Sequence, residues 1–125
     1  MQKRIELTKQ LIKDRQLELH TEDESFNKLN LRASGRMLVD SDALSFIYIL
    51  ENNEEFVYVS LTSNLWSSLK EVIDEKLDVI LFIGNQTINL EGLIEELTYL
   101  ISNIEGNANY GEQMVSQVEE IFVKA

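Results

Sequence analysis

In 44-LSFIYILENNEEFVYVSL-61 two apolar runs rich in aromatic and β-branched residues, Leu44 to Leu50 and Phe56 to Leu61, flank Glu51-Asn52-Asn53-Glu54. Asparagine tolerates the positive φ of a tight turn, so the segment reads as a β-hairpin at the centre of a sheet. Loop length sets which side chains share a face. An odd loop would align Phe46, Tyr48, Phe56 and Tyr58 into one aromatic stripe, a platform for a ligand. The commoner two-residue turn, Asn52-Asn53, instead puts Ile47 and Ile49 with Phe56 and Tyr58, and Phe46 and Tyr48 with Val57 and Val59. The mixed arrangement is the one expected.

Upstream, the period stays at two. Ile5, Leu7, Lys9 and Leu11 share the parity of one strand, Lys13-Asp14-Arg15 turns, and Leu17, Leu19 and Thr21 form a second strand with Glu18, His20 and Glu22 on its other face. Thr21 to Lys28 is polar and reads as a loop. Leu29 to Asp40 reads as a strand in which Gly35 marks a bulge or the close approach of another backbone, and Asp40-Ser41-Asp42 turns the chain.

Downstream, helical spacing takes over. Thr62 or Ser63 can cap a helix carrying Leu65, Trp66, Leu69, Val72 and Ile73 and ending near Lys76. Val79 to Ile83 and Gln86 to Leu90 pair over Gly84-Asn85, which brings Val79, Leu81, Ile83, Ile88 and Leu90 onto one core face. Leu93, Ile94, Leu97, Leu100, Ile101 and Ile104 then make an apolar helical stripe, as do Met114, Val115, Val118, Ile121 and Phe122. The expectation is a single α+β domain over residues 1–125. It has a mostly antiparallel sheet of about five to seven strands built from hairpins, and three helices mainly on one face, the last two forming a C-terminal helical hairpin.

The 125 residues are 44% hydrophobic, enough for a core, and contain no cysteine, which excludes disulfides, thiolate metal sites and cysteine nucleophiles. The opening residues lack an apolar signal segment, and the longest apolar run, Val79 to Ile83, is too short to span a bilayer, so a cytoplasmic protein without a membrane is expected. The net charge of −11 is uneven: residues 1–36 carry eight basic and six acidic side chains, residues 37–125 three basic and sixteen acidic. Such a surface repels a phosphate backbone. It disfavours nucleic acid and favours a basic protein partner.

Chemistry-bearing patterns are sparse. His20, the one histidine, alternates with Glu18 and Glu22 on a polar strand face and is expected to be solvent-exposed rather than a general base. Ser34, Ser41 and Ser45 lack the strand–turn–helix context of an activated nucleophile. Asp40 and Asp42 are the weak metal candidates, but Leu44 stands where a calcium loop needs a third oxygen ligand. The paired glutamates Glu95-Glu96 and Glu119-Glu120 lack the histidine of a di-iron helix, and Gly84, Gly92, Gly106 and Gly111 match no phosphate-binding spacing. No cofactor is expected, and the balance leans away from an enzyme.

Ile104 to Glu112 looks most like a site, since glycines, asparagines, a tyrosine and carboxylates crowd between two helical patterns. Capping accounts for part of it: Gly106 suits a helix C-terminus, and Asn109 with Glu112 resembles a capping box. Asn107, Tyr110 and Gly111 are left over. They are the candidate ligand or partner residues, with Tyr48, Tyr58 and Trp66 around a pocket expected between sheet and helices.

The blocks Ala33 to Asp42, Glu95 to Leu100 and Asn103 to Gly111, with the hairpin Ile47 to Tyr58 and Trp66, resemble the YjbL-like family of short proteins from low-GC Gram-positive bacteria. The likeness covers roughly residues 33 to 122. It implies a bacterial, cytosolic setting and brings no activity, cofactor or catalytic residue with it. Three functions are therefore expected, in this order: a non-enzymatic interaction or regulatory module, a small-molecule-binding protein, and a metal-dependent enzyme using Asp40 and Asp42.

Overall fold

The computed structural model describes residues 3–26 and 29–124, and eight strands and three α-helices lie among them. The strands are β1 (Lys3–Ile5), β2 (Lys9–Lys13), β3 (Gln16–His20), β4 (Arg32–Asp40), β5 (Ser45–Glu51), β6 (Phe56–Thr62), β7 (Asp78–Ile83) and β8 (Gln86–Asn89). The helices are α1 (Trp66–Glu75), α2 (Leu93–Ile104) and α3 (Glu112–Val118), the last continuing as a π-helical turn over Glu119–Val123.

The α+β class expected from the pattern is observed, but the strands form two four-stranded sheets rather than one. The first has the order β1-β6-β5-β4, the second β2-β3-β7-β8. Each is mixed: β1 runs parallel to β6 and β3 parallel to β7, while the hairpin neighbours are antiparallel. The expected single strand from Ile5 to Leu11 breaks between Ile5 and Lys9, and the chain crosses there from one sheet to the other. Two hydrogen bonds tie the crossing down: Thr21 Oγ1 donates to the Glu6 carbonyl at 2.8 Å and Thr8 N to the His20 carbonyl at 2.8 Å.

The central hairpin pairs Glu51 with Phe56, so its loop has four residues, Asn52 to Glu55, instead of two. Asn52 Oδ1 explains the longer loop, accepting both Glu54 N (2.8 Å) and Glu55 N (2.9 Å). An even loop keeps the expected faces. Phe46, Tyr48, Leu50, Val57, Val59 and Leu61 point into the core, and Ile47, Ile49, Phe56 and Tyr58 point the other way.

In the second sheet Ile83 pairs with Gln86 over Gly84-Asn85 as read, and Val79, Leu81, Ile83, Ile88 and Leu90 are all buried. These residues meet the inner face of the first sheet, Trp66, Leu69 and Val72 of α1, Leu93, Leu97 and Ile104 of α2, Met114 and Val118 of α3, and Phe122 in one core. The helices do not share one sheet face: α1 packs against β3, and α2 against β4.

Other local readings shift. The helix after β6 is entered through a 3₁₀ turn, Ser63–Leu65, and neither Thr62 nor Ser63 caps it by side chain. The β4 strand starts at Arg32, and the loop expected over Thr21 to Lys28 contains a 3₁₀ turn, Glu24–Phe26, that buries Phe26; Asn27 and Lys28 lie outside the described residues.

Gly35 fulfils both of its readings. Ser34, Gly35 and Arg36 stand opposite Ile49 alone, which makes the bulge, and Ser34 Oγ donates to the Ile49 carbonyl at 2.5 Å while accepting Arg36 N at 3.1 Å. The bulge lets the backbone approach the turn before α2: a Cβ on Gly92 would lie 3.6 Å from Gly35 Cα, and Gly92 takes a φ of 77°. The positive φ is what calls for glycine at position 92, since the added Cβ would stand at an ordinary contact distance.

Candidate functional site

The candidate site is the outer face of the first sheet, and β5 is what singles it out. From Ser45 to Leu50 every residue of β5 is buried, although alternate side chains point to opposite faces. Burial on both faces is the habit of a strand sandwiched between two layers. The inner side has such a layer. On the outer side Ile47 and Ile49 stand outside the core cluster and yet are only 2% and 7% exposed.

What shields them is their neighbours' side chains. Leu38 stands beside Ile47 in register and Tyr58 beside Ile49, with Arg4 next to Tyr58 on β1. Leu38 remains 43% exposed and Phe56 53%. The Arg36 guanidinium lies over the Phe56 ring, 5.5 Å from its centre, an arrangement that favours a cation on the ring face. The result is an apolar strip of Leu38, Ile47, Ile49, Phe56 and Tyr58 edged by arginine, and aromatic residues and arginine are the types enriched in protein interfaces.

Ion pairs stand at both ends of the rim. At one end Glu51 is shared by Arg36 (3.7 Å) and Arg32 (3.8 Å). At the other, Arg4 holds Asp40 at 2.9 Å beside Asp42, along a groove of about 390 Å³ lined by Arg4, Leu38, Asp40, Asp42, Ile47 and Tyr58. The Arg4 hydrogen bond, helped by the backbone N–H of Ala43, holds the Asp40 carboxyl below the ordinary carboxylate range. The ligand that Asp40 would offer a metal is thus already committed to a guanidinium. Among the described residues no three histidine or acidic side chains gather as a metal site.

The other residues singled out from the sequence are dispersed. Trp66 is fully buried, donates Nε1–H to the Leu61 carbonyl at 3.0 Å, and packs with Phe46 and Phe122 at ring separations of 5.1 and 5.8 Å. Tyr48 is buried on the inner face, the side opposite Tyr58, so the two are not neighbours in one pocket. The Tyr48 hydroxyl donates to the Glu91 carbonyl at 2.5 Å and accepts Gly35 N at 3.1 Å. Burial first, and then the Glu91 and Glu96 charges, push its ionisation up, against the Gly35 N–H that pulls it down.

In the helical corner it is Asn107, not Asn109, that caps: its Oδ1 accepts Asn109 N at 3.0 Å at the head of the 3₁₀ turn Ala108–Tyr110, and its Nδ2 donates to the Asn103 carbonyl at 3.2 Å. The expected Asn109–Glu112 capping box is absent, because α3 starts at Glu112 after Gly111 with no side-chain cap. Gly111 is required by its backbone, φ 93° and ψ 141°, and Tyr110 packs half-buried against the core. Gly106 N donates to Glu119 Oε2 at 2.8 Å and closes the corner, beside a groove of about 590 Å³ lined by Gly106, Ala108, Glu112, Val115, Ser116, Glu119 and Lys124.

His20, expected in solvent, is half-buried and stacks on Phe82 with ring centres 4.7 Å apart.

A model of the family of unknown function UPF0738 matches residues 5–122. The chain belongs to the UPF0738 family. It is 46% identical over 123 residues to the UPF0738 protein YjbL of Bacillus subtilis, covering 98% of this chain and 100% of that one. A UPF0738 protein of Bacillus licheniformis matches at the same identity and coverage, and one of a Geobacillus species at 44% over 98% of this chain and 99% of that one. No solved structure matches the chain. The family resemblance noted over residues 33 to 122 therefore extends across nearly the whole chain, the N-terminal strands included.

Leu38, Phe56, Arg4 and Arg36 of this UPF0738 protein were not among the residues marked from sequence. The unbroken apolar run of β5 was the available signal, since a strand with one wet face should alternate. No helix among the described residues is long and apolar enough to cross a membrane.

Proposed function

We propose that this protein is a non-enzymatic protein-interaction module that docks a partner on the outer face of its first sheet. The observation carrying this is β5, apolar on both faces with Ile47 and Ile49 outside the core cluster, beside the exposed Leu38 and Phe56. Exposed apolar patches rimmed by polar residues are a feature of interaction sites. The reading places the module in the bacterial cytoplasm. Capture from native extract tests it: Phe56→Glu puts a charge into the strip without touching the core, and should abolish retention of a protein that the wild type holds. Identical retention by the two proteins overturns the proposal.

A second reading, small-molecule binding, rests on the groove at the helical corner, where Ala108 and Val115 give an apolar floor beside Glu112 and Glu119. A metabolite screen by thermal shift tests it, because a ligand at about 100 times its Kd stabilises the fold by roughly 2.7 kcal/mol.

A further inference from the structure

We infer that the partner on this face is a second copy of the same chain, packed face to face about a two-fold axis that runs across the strands between the Ile47–Ser60 and Ile49–Tyr58 rows. The inference rests on the docking reading above and adds the identity of the partner. It follows from the layout of charge.

Whereas the chain as a whole carries −11, the rim of this face carries three arginines, Arg4, Arg32 and Arg36, against three carboxylates, Asp40, Asp42 and Glu51. A strongly charged partner of either sign would leave half of that rim unmatched. A copy of the same face does not, because a two-fold interface sets each residue against another of the same patch. The charges are also sorted along the strands. The end where Arg32 pairs with Glu51 and Glu51 with Phe56 has Arg32 and Arg36 around one carboxylate. The end where Asp40 pairs with Ser45 has Asp40 and Asp42 around one arginine, Arg4.

Along β4, then, the arginines Arg32 and Arg36 stand toward one end and the aspartate Asp40 at the other, with Asp42 just beyond it. An axis across the strands midway between the ends, between the Ile47–Ser60 and Ile49–Tyr58 rows, lays the Arg32 end of each copy over the Asp40 end of the other. The apolar strip meets itself in the middle. It gives Ile47 and Ile49 the second layer that the run of β5 calls for. Acidic residues on the helices, such as Glu71, Asp74, Glu95 and Glu96, belong to elements packed on the opposite side of this sheet. At physiological salt, repulsion between them is screened beyond about 8 Å.

Sedimentation of the intact protein, combined with site-specific cross-linking, tests this. The chain has no cysteine, so Tyr58→Cys introduces a single thiol beside the proposed axis, and Tyr99→Cys a control on the exposed side of α2. The wild type should sediment at twice its 14.4 kDa. A short bifunctional maleimide, matched to the roughly 10 Å between face-packed sheets, should join Tyr58→Cys copies at least about tenfold faster than Tyr99→Cys copies. Phe56→Glu should halve the sedimenting mass while its circular dichroism spectrum stays that of the wild type.

A wild type that sediments as a 14.4 kDa species at every concentration, with no cross-linking preference at position 58, overturns the inference. If Phe56→Glu then still loses a different protein from extract, the docking reading survives without it. If Phe56→Glu loses nothing, both fall.

Discussion

The hydroxyl of Tyr48 donates to the carbonyl of Glu91 at 2.5 Å, and in doing so fastens the centre of the first sheet to the turn that launches α2. The same oxygen accepts Gly35 N at 3.1 Å, so one side chain satisfies two backbone groups at the point where Gly35 and Gly92 touch. The two sheets share a core, and this contact is one of the places where their backbones are held together by polar bonds.

Tyr48→Phe keeps the ring and removes the oxygen. Two part-buried backbone groups then lose their partner, which costs about 1–3 kcal/mol where no water replaces it. Urea denaturation should show a lower midpoint at unchanged slope. An unaltered midpoint would mean that solvent reaches both groups.

Gly92→Ala should destabilise by about 1–2 kcal/mol, through a φ of 77° that an L-residue resists, in a backbone that lies against Gly35. Its effect should fall short of additivity with Tyr48→Phe, because the two changes loosen the same contact. Thermal melts of the single and double variants measure the coupling.

Lys76 closes α1 in the left-handed conformation, φ 55° and ψ 54°, at the position where glycine is favoured. The strain there and the greater freedom of glycine in the unfolded chain oppose each other, and relief of the strain should prevail. Lys76→Gly is expected to raise stability by about 0.5–1 kcal/mol, read as a higher midpoint of thermal unfolding.

Asp40 supplies a pH dependence of known sign. Its folded carboxyl is held below the ordinary value by the Arg4 hydrogen bond. The stabilisation is therefore complete above the unfolded value of about 3.9 and is lost as pH falls through the folded one. The advantage of the wild type over Asp40→Asn should be constant near neutrality and shrink below about pH 4. An advantage that grows on acidification would contradict the Arg4 pairing.

Local features were the legible ones. The two-residue turn over Gly84-Asn85 fixed the register of β7 and β8, and the double reading of Gly35 follows from one fact, the lack of a Cβ. The division into two sheets left no mark, because the alternation of Ile5, Leu7, Lys9 and Leu11 runs through the very residues where the chain crosses over. Parallel pairing of β1 with β6 joins segments more than fifty residues apart, as Lys3 with Val57, and no local pattern encodes it.

At the candidate sites, caps could be anticipated but not assigned: Asn107 and Asn109 are two residues apart with the same chemistry, and only the turn between them selects Asn107. The outer face was half legible. Even-loop parity grouped Ile47, Ile49, Phe56 and Tyr58, but which of the two faces of β5 stays uncovered depends on how distant helices pack.

Docking on that face is best examined inside the bacterial cell. A photoreactive benzophenone side chain replaces Phe56 on the outer face in one strain, and Tyr99, 62% exposed on α2, in another. Irradiation should give a discrete covalent protein adduct from position 56 and none from position 99. No adduct from position 56, or the same adducts from both positions, would contradict the docking of a protein on the first sheet.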